Sequence, residues 1–409
     1  MEYPTFLFTM RVGPKLALIT AACAWLSAAA VAVGVTAKSA IVVDAATGRV
    51  LWAKDPDTPR FPASTTKVMT ALLVLDWCKP DDVITAPFDT ESVTGSSLHL
   101  RPGEQVTAQE LLYAILLRSA NDACHAAAIY ISGGDAAFAR LMNKRAQELG
   151  CTRTHFHNPH GLNDPEHTIT ARDLSVIACE AMTYPLFREV VRCRKHLITR
   201  SMNQEDRWLI NHDKYLAMDK TADGIKTGFT VPAGHCYVGS ATRNGYRVIT
   251  VLMKSDNWEA DNKTLLDWAF KNHERRTVAK AGETLGTAPV QGGAKADVTA
   301  VLGEDLQIVE ARGDRLAISR KLDPRVGLAA PLKAGQRIGD VVFSDGKGWE
   351  RRYPLLAGEA VARATLVQRA RTGGRPVVIL AAGVLAGGYL IRRRALLRGR
   401  KPYGYYRVR

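Results

Sequence analysis

Between Lys38 and Trp52 the chain alternates as a β-hairpin does: Ala40-Ile41-Val42-Val43-Asp44, a turn at Ala46-Thr47-Gly48, then Arg49-Val50-Leu51-Trp52. After Pro62 the pattern turns helical, and Ser64 to Asp76 is apolar on most faces, which predicts a central, buried helix. A second helical run spans Ala108 to Ile131 with Thr107 as its cap, and a third spans Ala136 to Leu149 and closes at Gly150. A turn-rich loop from Asn158 to Asp164 precedes another helix, Ala171 to Met182. Past Gly224 strands return, Tyr237 to Thr242 and Arg247 to Lys254, joined by the hairpin signal Asn244-Gly245. Ala260 to His273 reads as a closing helix. Helices bracketed by an antiparallel sheet built from both chain ends predict an α/β (α+β) domain over residues 38–275. From 276 to 365, short alternating segments (Asp297–Leu302, Leu306–Ala311, Arg315–Ser319) separated by Gly, Asp and Pro predict a small all-β module.

Both ends of the chain carry membrane signals. Arg11 and Lys15 precede an uncharged stretch from Leu16 that ends Val35-Thr36-Ala37, which reads as a secretory signal peptide over 1–37 cleaved after Ala37. Its apolar run exceeds the usual length, so a retained anchor is the competing reading. Beyond a linker at 366–375, Pro376 to Ile391 has no charge and is followed by Arg392-Arg393-Arg394. As a helix it spans roughly 24 Å against a ~30 Å hydrocarbon core, a gap that snorkelling arginines can close. The arginines place the basic tail 392–409 in the cytoplasm and the bulk of the chain outside, as a single C-terminal membrane pass. A surface-lying or buried helix is the alternative.

Charge sharpens this picture. Ten basic residues and no acid lie between Arg371 and Arg409, so most of the net charge of +15 sits in one tail. Basicity of that kind argues for a membrane surface and not for nucleic acid. Ordinary globular composition, 46% hydrophobic and 23% charged, excludes collagenous and wholly disordered chains. Removing the leader takes Cys23 and leaves Cys78, Cys124, Cys151, Cys179, Cys193 and Cys236, with no C-x-x-C; buried thiols and disulfides both remain open.

Three short motifs carry candidate chemistry. In Pro62-Ala63-Ser64-Thr65-Thr66-Lys67 a hydroxyl and an amine stand three residues apart, one helical turn on the same face. A serine is a poor nucleophile until a base takes its proton, and a buried lysine has a depressed pKa that suits it to the task. Ser119-Ala120-Asn121-Asp122 interrupts an apolar run, so its polar groups either form a buried network or face a cleft. Lys226-Thr227-Gly228-Phe229 offers a cation and a hydroxyl for a carboxylate, with Gly228 allowing close backbone approach. Each alone has an ordinary structural reading: a capped helix start, a kinked helix, an edge strand.

Together, S-x-x-K, S-x-N and K-T-G in this order resemble the signature of the penicillin-interacting serine enzymes. Further stretches carry the likeness: Gly95-Ser96-Ser97-Leu98, Arg101-Pro102-Gly103-Glu104, Asn158-Pro159-His160-Gly161-Leu162 and Asp223-Gly224-Ile225. Over about 40–275 the chain resembles the low-molecular-mass penicillin-binding proteins, the D-alanyl-D-alanine carboxypeptidases, and its β module and anchor fit that family's layout. The resemblance implies a β-lactamase/transpeptidase-like catalytic domain that removes the terminal D-alanine from peptidoglycan stem peptides and is acylated by β-lactam antibiotics. By the same token Ser64 is the nucleophile and Lys67 its base, Ser119 relays a proton to the leaving D-alanine, and Asn121 holds the substrate amide. Lys226 and Thr227 bind the terminal carboxylate, while the amides of Ser64 and Phe229 form the oxyanion hole. No cofactor and no metal enter.

Departures from relatives of that signature narrow the choice. A class A β-lactamase needs a glutamate in a Glu-x-x-Leu-Asn loop, and here Pro159-His160-Gly161-Leu162-Asn163 has proline in that place. A D,D-endopeptidase or transpeptidase would use the same residues on cross-links. A non-catalytic β-lactam sensor or wall-binding protein would have lost the serine or the lysine, and both are present. His155, His157 and His160 suggest metal ligation, but the Asp-His that follows in metallo-hydrolases is missing, and a structural role for the loop histidines is the better reading.

Overall fold

The computed structural model describes residues 33–346, 348–365, 367–368 and 388–394. Its catalytic domain is built on a five-stranded antiparallel sheet: β1 (Ser39–Asp44), β2 (Val50–Lys54), β3 (Ala222–Thr230), β4 (Gly234–Arg243) and β5 (Tyr246–Ser255), in the order β2-β1-β5-β4-β3. Asn244 and Gly245, at φ of 51° and 77°, form the tight turn that aligns β4 with β5. An alternating strand is expected at β1, yet all six of its residues are buried. It lies inside the sheet, and helices α5 (Ala171–Ala181) and α6 (Trp258–Asn272) both pack on it.

The helical side is organised around α1 (Lys67–Trp77), in which every residue from Lys67 to Val74 is buried, and a 3₁₀ turn over Ala63–Thr66 leads into it. Around it stand α2 (Ala108–Tyr113), α3 (Asn121–Ser132) and α4 (Asp135–Glu148). Thr107 caps α2 as expected, its hydroxyl accepting from the Glu110 N–H and Glu110 reaching back in a capping box. The single helix expected over 108–131 is broken. A π turn over Ala114–Arg118 is followed by Ser119 at φ 62° and extended Ala120 before α3 begins. Polar side chains in a buried run cannot all be satisfied in a continuous helix, and the break turns Ser119 toward the cleft. A non-glycine residue in the left-handed region costs about 1–2 kcal/mol, a strain the surrounding packing must hold.

The β module begins directly where α6 ends, at His273, earlier than the helix expected over 260–273 allows. Strand β6 (His273–Ala279) pairs with β9 (Leu306–Ala311). The other five strands, β7 (Thr284–Pro289), β8 (Asp297–Leu302), β10 (Ser319–Pro324), β11 (Arg337–Ser344) and β12 (Glu350–Ala357), form a second sheet in the order β7-β8-β12-β11-β10. The segment expected at Arg315–Ser319 is displaced to β10, because Arg315 and the Leu316 N–H are engaged by the buried Glu310 carboxylate. The module has its own apolar core and touches the β1–β2 turn: Trp349 Nε1 and Arg351 Nε donate to the Thr47 carbonyl at 3.3 and 2.9 Å.

Most of the expected leader, residues 1–32, lies outside the described residues. Its last residues are part of the catalytic domain. The Thr36 N–H and hydroxyl and the Ala37 N–H donate to the Asp261 carboxylate at 2.8, 2.8 and 2.9 Å. Of the expected membrane segment, 376–387 lies outside the described residues, while 388–394 is helical with Tyr389, Leu390 and Ile391 exposed. No helix among the described residues is long and apolar enough to cross a membrane. The six cysteines from Cys78 onward are all free thiols.

Candidate active site

The S-x-x-K spacing works through the 3₁₀ turn. It places Ser64, half-buried at the cleft, above Lys67, which is fully buried. Lys67 Nζ is 3.1 Å from Ser64 Oγ and 2.7 Å from both Asn121 Oδ1 and the His160 carbonyl. A neutral amine donates its two hydrogens to those last two acceptors and keeps its lone pair for the serine proton. Burial pushes Lys67 down to about 8, with Cys124 and Asp122 opposing the shift.

Asn121 is fixed on three sides. Its Oδ1 accepts from Lys67, its Nδ2 donates to the Thr94 carbonyl at 2.7 Å, and its backbone N–H donates to the Ser96 carbonyl at 2.7 Å. Ser119 Oγ is buried and has no hydrogen-bond partner among the described residues. A buried hydroxyl left unpaired at the lip of a cleft is suited to a ligand that will pair it. Asp122, two residues from the cleft, has turned away: its carboxylate accepts from Leu98 N, Leu100 N and the Ser97 hydroxyl.

The third motif lies on β3, which packs against the Ser64 turn. Lys226 is buried there; burial, reinforced by the charge of Lys67, lowers it to about 7, and the carboxylate of Asp213 opposes this. Among the described residues its Nζ donates to the neighbouring Thr227 carbonyl alone, at 3.0 Å. Gly228 is required by contact: a Cβ there would lie 2.9 Å from Ser64 N and 3.0 Å from Thr65 N. Phe229 is exposed on the cleft rim. Ser64, Ser119, Thr227, Gly228 and Phe229 line one cleft of about 330 Å³, with Lys67, Asn121 and Lys226 behind its wall. All eight residues singled out in the sequence thus converge on one place.

Sequence reasoning missed the floor of the site. The 158–164 loop lends Lys67 its His160 carbonyl, and Gly161, at φ 89°, lies so close to the Ser64 turn that a Cβ would meet Ala63 O at 1.9 Å. The Thr70 hydroxyl, one turn beyond Lys67, donates to the Pro159 carbonyl. His160 and His167 are neutral: burial lowers them to about 4 and about 3, and the Nδ1 of each accepts a backbone N–H. Turn composition and the likeness of Asn158 to Leu162 to the family both pointed to this loop, but neither says which carbonyl faces inward. His157 stands apart, exposed beside Asp164 and Glu166.

Comparison with known proteins agrees with this architecture. Residues 26–257 match the D-alanyl-D-alanine carboxypeptidase family, peptidase S11, and residues 273–363 match the C-terminal domain of penicillin-binding protein 5. The chain is 33% identical over 380 residues to D-alanyl-D-alanine carboxypeptidase DacC of Escherichia coli, covering 88% of this chain and 93% of that one. It is 29% identical over 340 residues to DacF of Bacillus subtilis, covering 81% and 87%. Among solved structures, penicillin-binding protein 5 from Haemophilus influenzae superposes with a TM-score of 0.64 at 29% identity, over 81% of this chain and 98% of that one. Penicillin-binding protein 3 from Streptococcus pneumoniae superposes with a TM-score of 0.70 at 25% identity, over 80% and 100%. A β-lactamase/transpeptidase-like domain with a lysine-backed serine, followed by this all-β domain, makes the chain a serine hydrolase that belongs to the D-alanyl-D-alanine carboxypeptidase family.

Proposed function

We propose that the chain cleaves the terminal D-alanine from peptidoglycan stem peptides through an acyl-enzyme on Ser64. The observation that carries this reading is the buried Lys67 amine 3.1 Å from Ser64 Oγ, held by two acceptors that leave its lone pair for the serine. The substrate carboxylate meets Lys226 and Thr227, and its negative charge stabilises the protonated form of Lys226. Ser64 Oγ attacks the carbonyl between the two D-alanines as its proton passes to Lys67. The oxyanion forms against the amides of Ser64 and Phe229, brought side by side by the absence of a side chain at Gly228. The Asn121 carboxamide holds the peptide amide, and Ser119 Oγ passes its proton to the leaving nitrogen while taking up the one that Lys67 received from Ser64, which leaves the Lys67 amine neutral again. Water then attacks the ester as its proton passes to Lys67, which returns that proton to the departing Ser64 Oγ. A β-lactam enters by the same route, its ring carbonyl taking the place of the scissile one.

The reading extends to location. The uncharged 376–391 segment, the arginines that follow it and the exposed apolar side chains of Tyr389, Leu390 and Ile391 support a C-terminal membrane anchor with the catalytic domain outside the cytoplasm. The β module between site and anchor acts as a spacer toward the wall. The deciding experiment is D-alanine release from a D-Ala-D-Ala-terminated pentapeptide by wild type beside Ser64→Ala, with labelling by a fluorescent penicillin in parallel. Release and labelling that both vanish in the variant support Ser64 as nucleophile. Labelling without release, together with cleavage of cross-linked muropeptides, would replace the carboxypeptidase by an endopeptidase.

A further inference from the structure

His125 lies on α3, one turn beyond Asn121, buried and outside the cleft. Its two ring nitrogens face two carboxylates: Nδ1 is 2.8 Å from Asp135 Oδ1 and Nε2 is 3.1 Å from Asp89 Oδ1. Carboxylates only accept, so both nitrogens must carry hydrogens, and the ring is an imidazolium. The two partners belong to different elements. Asp135 is the first residue of α4; Asp89 opens the segment 89–97, which runs across the start of α3.

That segment is what grips Asn121. Its Thr94 carbonyl accepts from Asn121 Nδ2, and its Ser96 carbonyl accepts from Asn121 N. Gly95 between them, at φ 91°, lies so near that a Cβ would stand 2.6 Å from Asn121 Nδ2. The far end of the segment is tied to α3 through Ser97 and Asp122, and the near end through Asp89 and His125.

We propose that His125 is a positioning residue, a charged staple that joins α4 to the 89–97 segment and so holds the carbonyls that orient the Asn121 carboxamide toward substrate. The charged and titratable groups facing the ring are Asp89 from the segment, Asp135 from α4 and, at longer range, His160 from the 158–164 loop. The bond to Asp135, then that to Asp89, lifts the imidazole to about 9 against the cost of burial. Its folded pKa is raised above the ordinary value, so the staple is fully charged near neutral pH and is released as pH climbs through about 9.

The proposal deepens the carboxypeptidase reading and rests on it for the activity assay, but the loop can be read independently. In the full chain, Asp89→Asn is the first variant, because its side chain is 63% exposed and its replacement is expected to spare the fold; His125→Val is the second. At pH 7 both variants are expected to speed amide hydrogen exchange in 89–97 and to lower penicillin acylation, each about tenfold, with both KM and kcat for D-alanine release affected. The thermal midpoint of Asp89→Asn stays near wild type. The variant-to-wild-type ratio closes above pH 9, where wild type loses the charge; a merely structural histidine would give a deficit that does not change with pH. Wild-type exchange and acylation in Asp89→Asn, or a deficit constant from pH 7 to 10, overturns the proposal. A wild type that releases no D-alanine overturns the carboxypeptidase reading, while loop exchange still tests the staple.

Discussion

Gly228→Ala tests the geometry of the oxyanion hole most directly. The added Cβ would lie 2.9 Å from Ser64 N, 3.0 Å from Thr65 N and 3.2 Å from Pro62 O. All three are backbone atoms, so no flexible side chain can give way. Ordinary contact begins near 3.4 Å, and β3 and the 3₁₀ turn must separate by roughly half an ångström. Ser64 sits on one side of that gap and Phe229 on the other, so the two amides proposed to receive the oxyanion move apart by the same amount. A displacement of about 1 Å costs up to ~100-fold in rate, and half of that implies about tenfold, or about 1.4 kcal/mol of transition-state stabilisation. Overpacking costs about 1–3 kcal/mol of stability as well. The assay is stopped-flow acylation by a fluorescent penicillin, with a thermal melt to show that the variant is folded. A folded Gly228→Ala that acylates at the wild-type rate would refute the claim that this contact sets the hole.

Three further outcomes follow from the same coordinates. Acylation at saturating penicillin, where the bound carboxylate keeps Lys226 charged, rises with pH up to about 8 as Lys67 loses its proton and then levels; a flat profile from pH 6 to 9 removes Lys67 as the base. Ser119→Ala deletes a hydroxyl that has no partner in the folded state, so its stability stays within about 0.5 kcal/mol of wild type while turnover falls roughly 100-fold or more; an equal loss of both would make Ser119 a folding residue. If a leader is removed, the expected cut lies before Thr36 and not after Ala37 as the sequence pattern suggests, because Thr36 and Ala37 bind Asp261 and the Thr36 hydroxyl accepts from Asp256 N and Asn257 N; intact mass of the mature chain decides, and a chain starting at Lys38 contradicts it.

The parts legible in the sequence are those governed by short periods. Three-residue spacing is nearly one helical turn, so Ser64 and Lys67 were bound to meet whether the turn was α or 3₁₀, and Asn244-Gly245 fixed a hairpin by backbone preference alone. The polar cluster at Ser119 marked an interruption, but the form of the break could not be read, because a π turn shifts the helical phase without changing composition. His160 contributes a carbonyl, which every residue has, so no side-chain pattern could point to it. His125 passes unnoticed because nothing near it in the chain marks it out: its two carboxylate partners lie 36 and 10 residues away in separate elements. Free thiols and disulfides could not be told apart from spacing, since pairing depends on which helices pack together.

The order of the central sheet bears on how the enzyme is made. β1 pairs with β5, Ala40 opposite Leu252, roughly 210 residues later, and β3 joins only through β4 and β5. Contacts of such long range are slow to form and cannot form until the later strands have been synthesised. Ser64, the proposed nucleophile, is therefore made early, while the strand that completes the proposed oxyanion hole arrives some 160 residues afterwards. Until Tyr246–Ser255 docks between β1 and β4, the chain has a serine and a lysine but no means of stabilising the transition state. An emerging chain is thus inert toward its substrate, and reactivity switches on only with the last strand of the sheet.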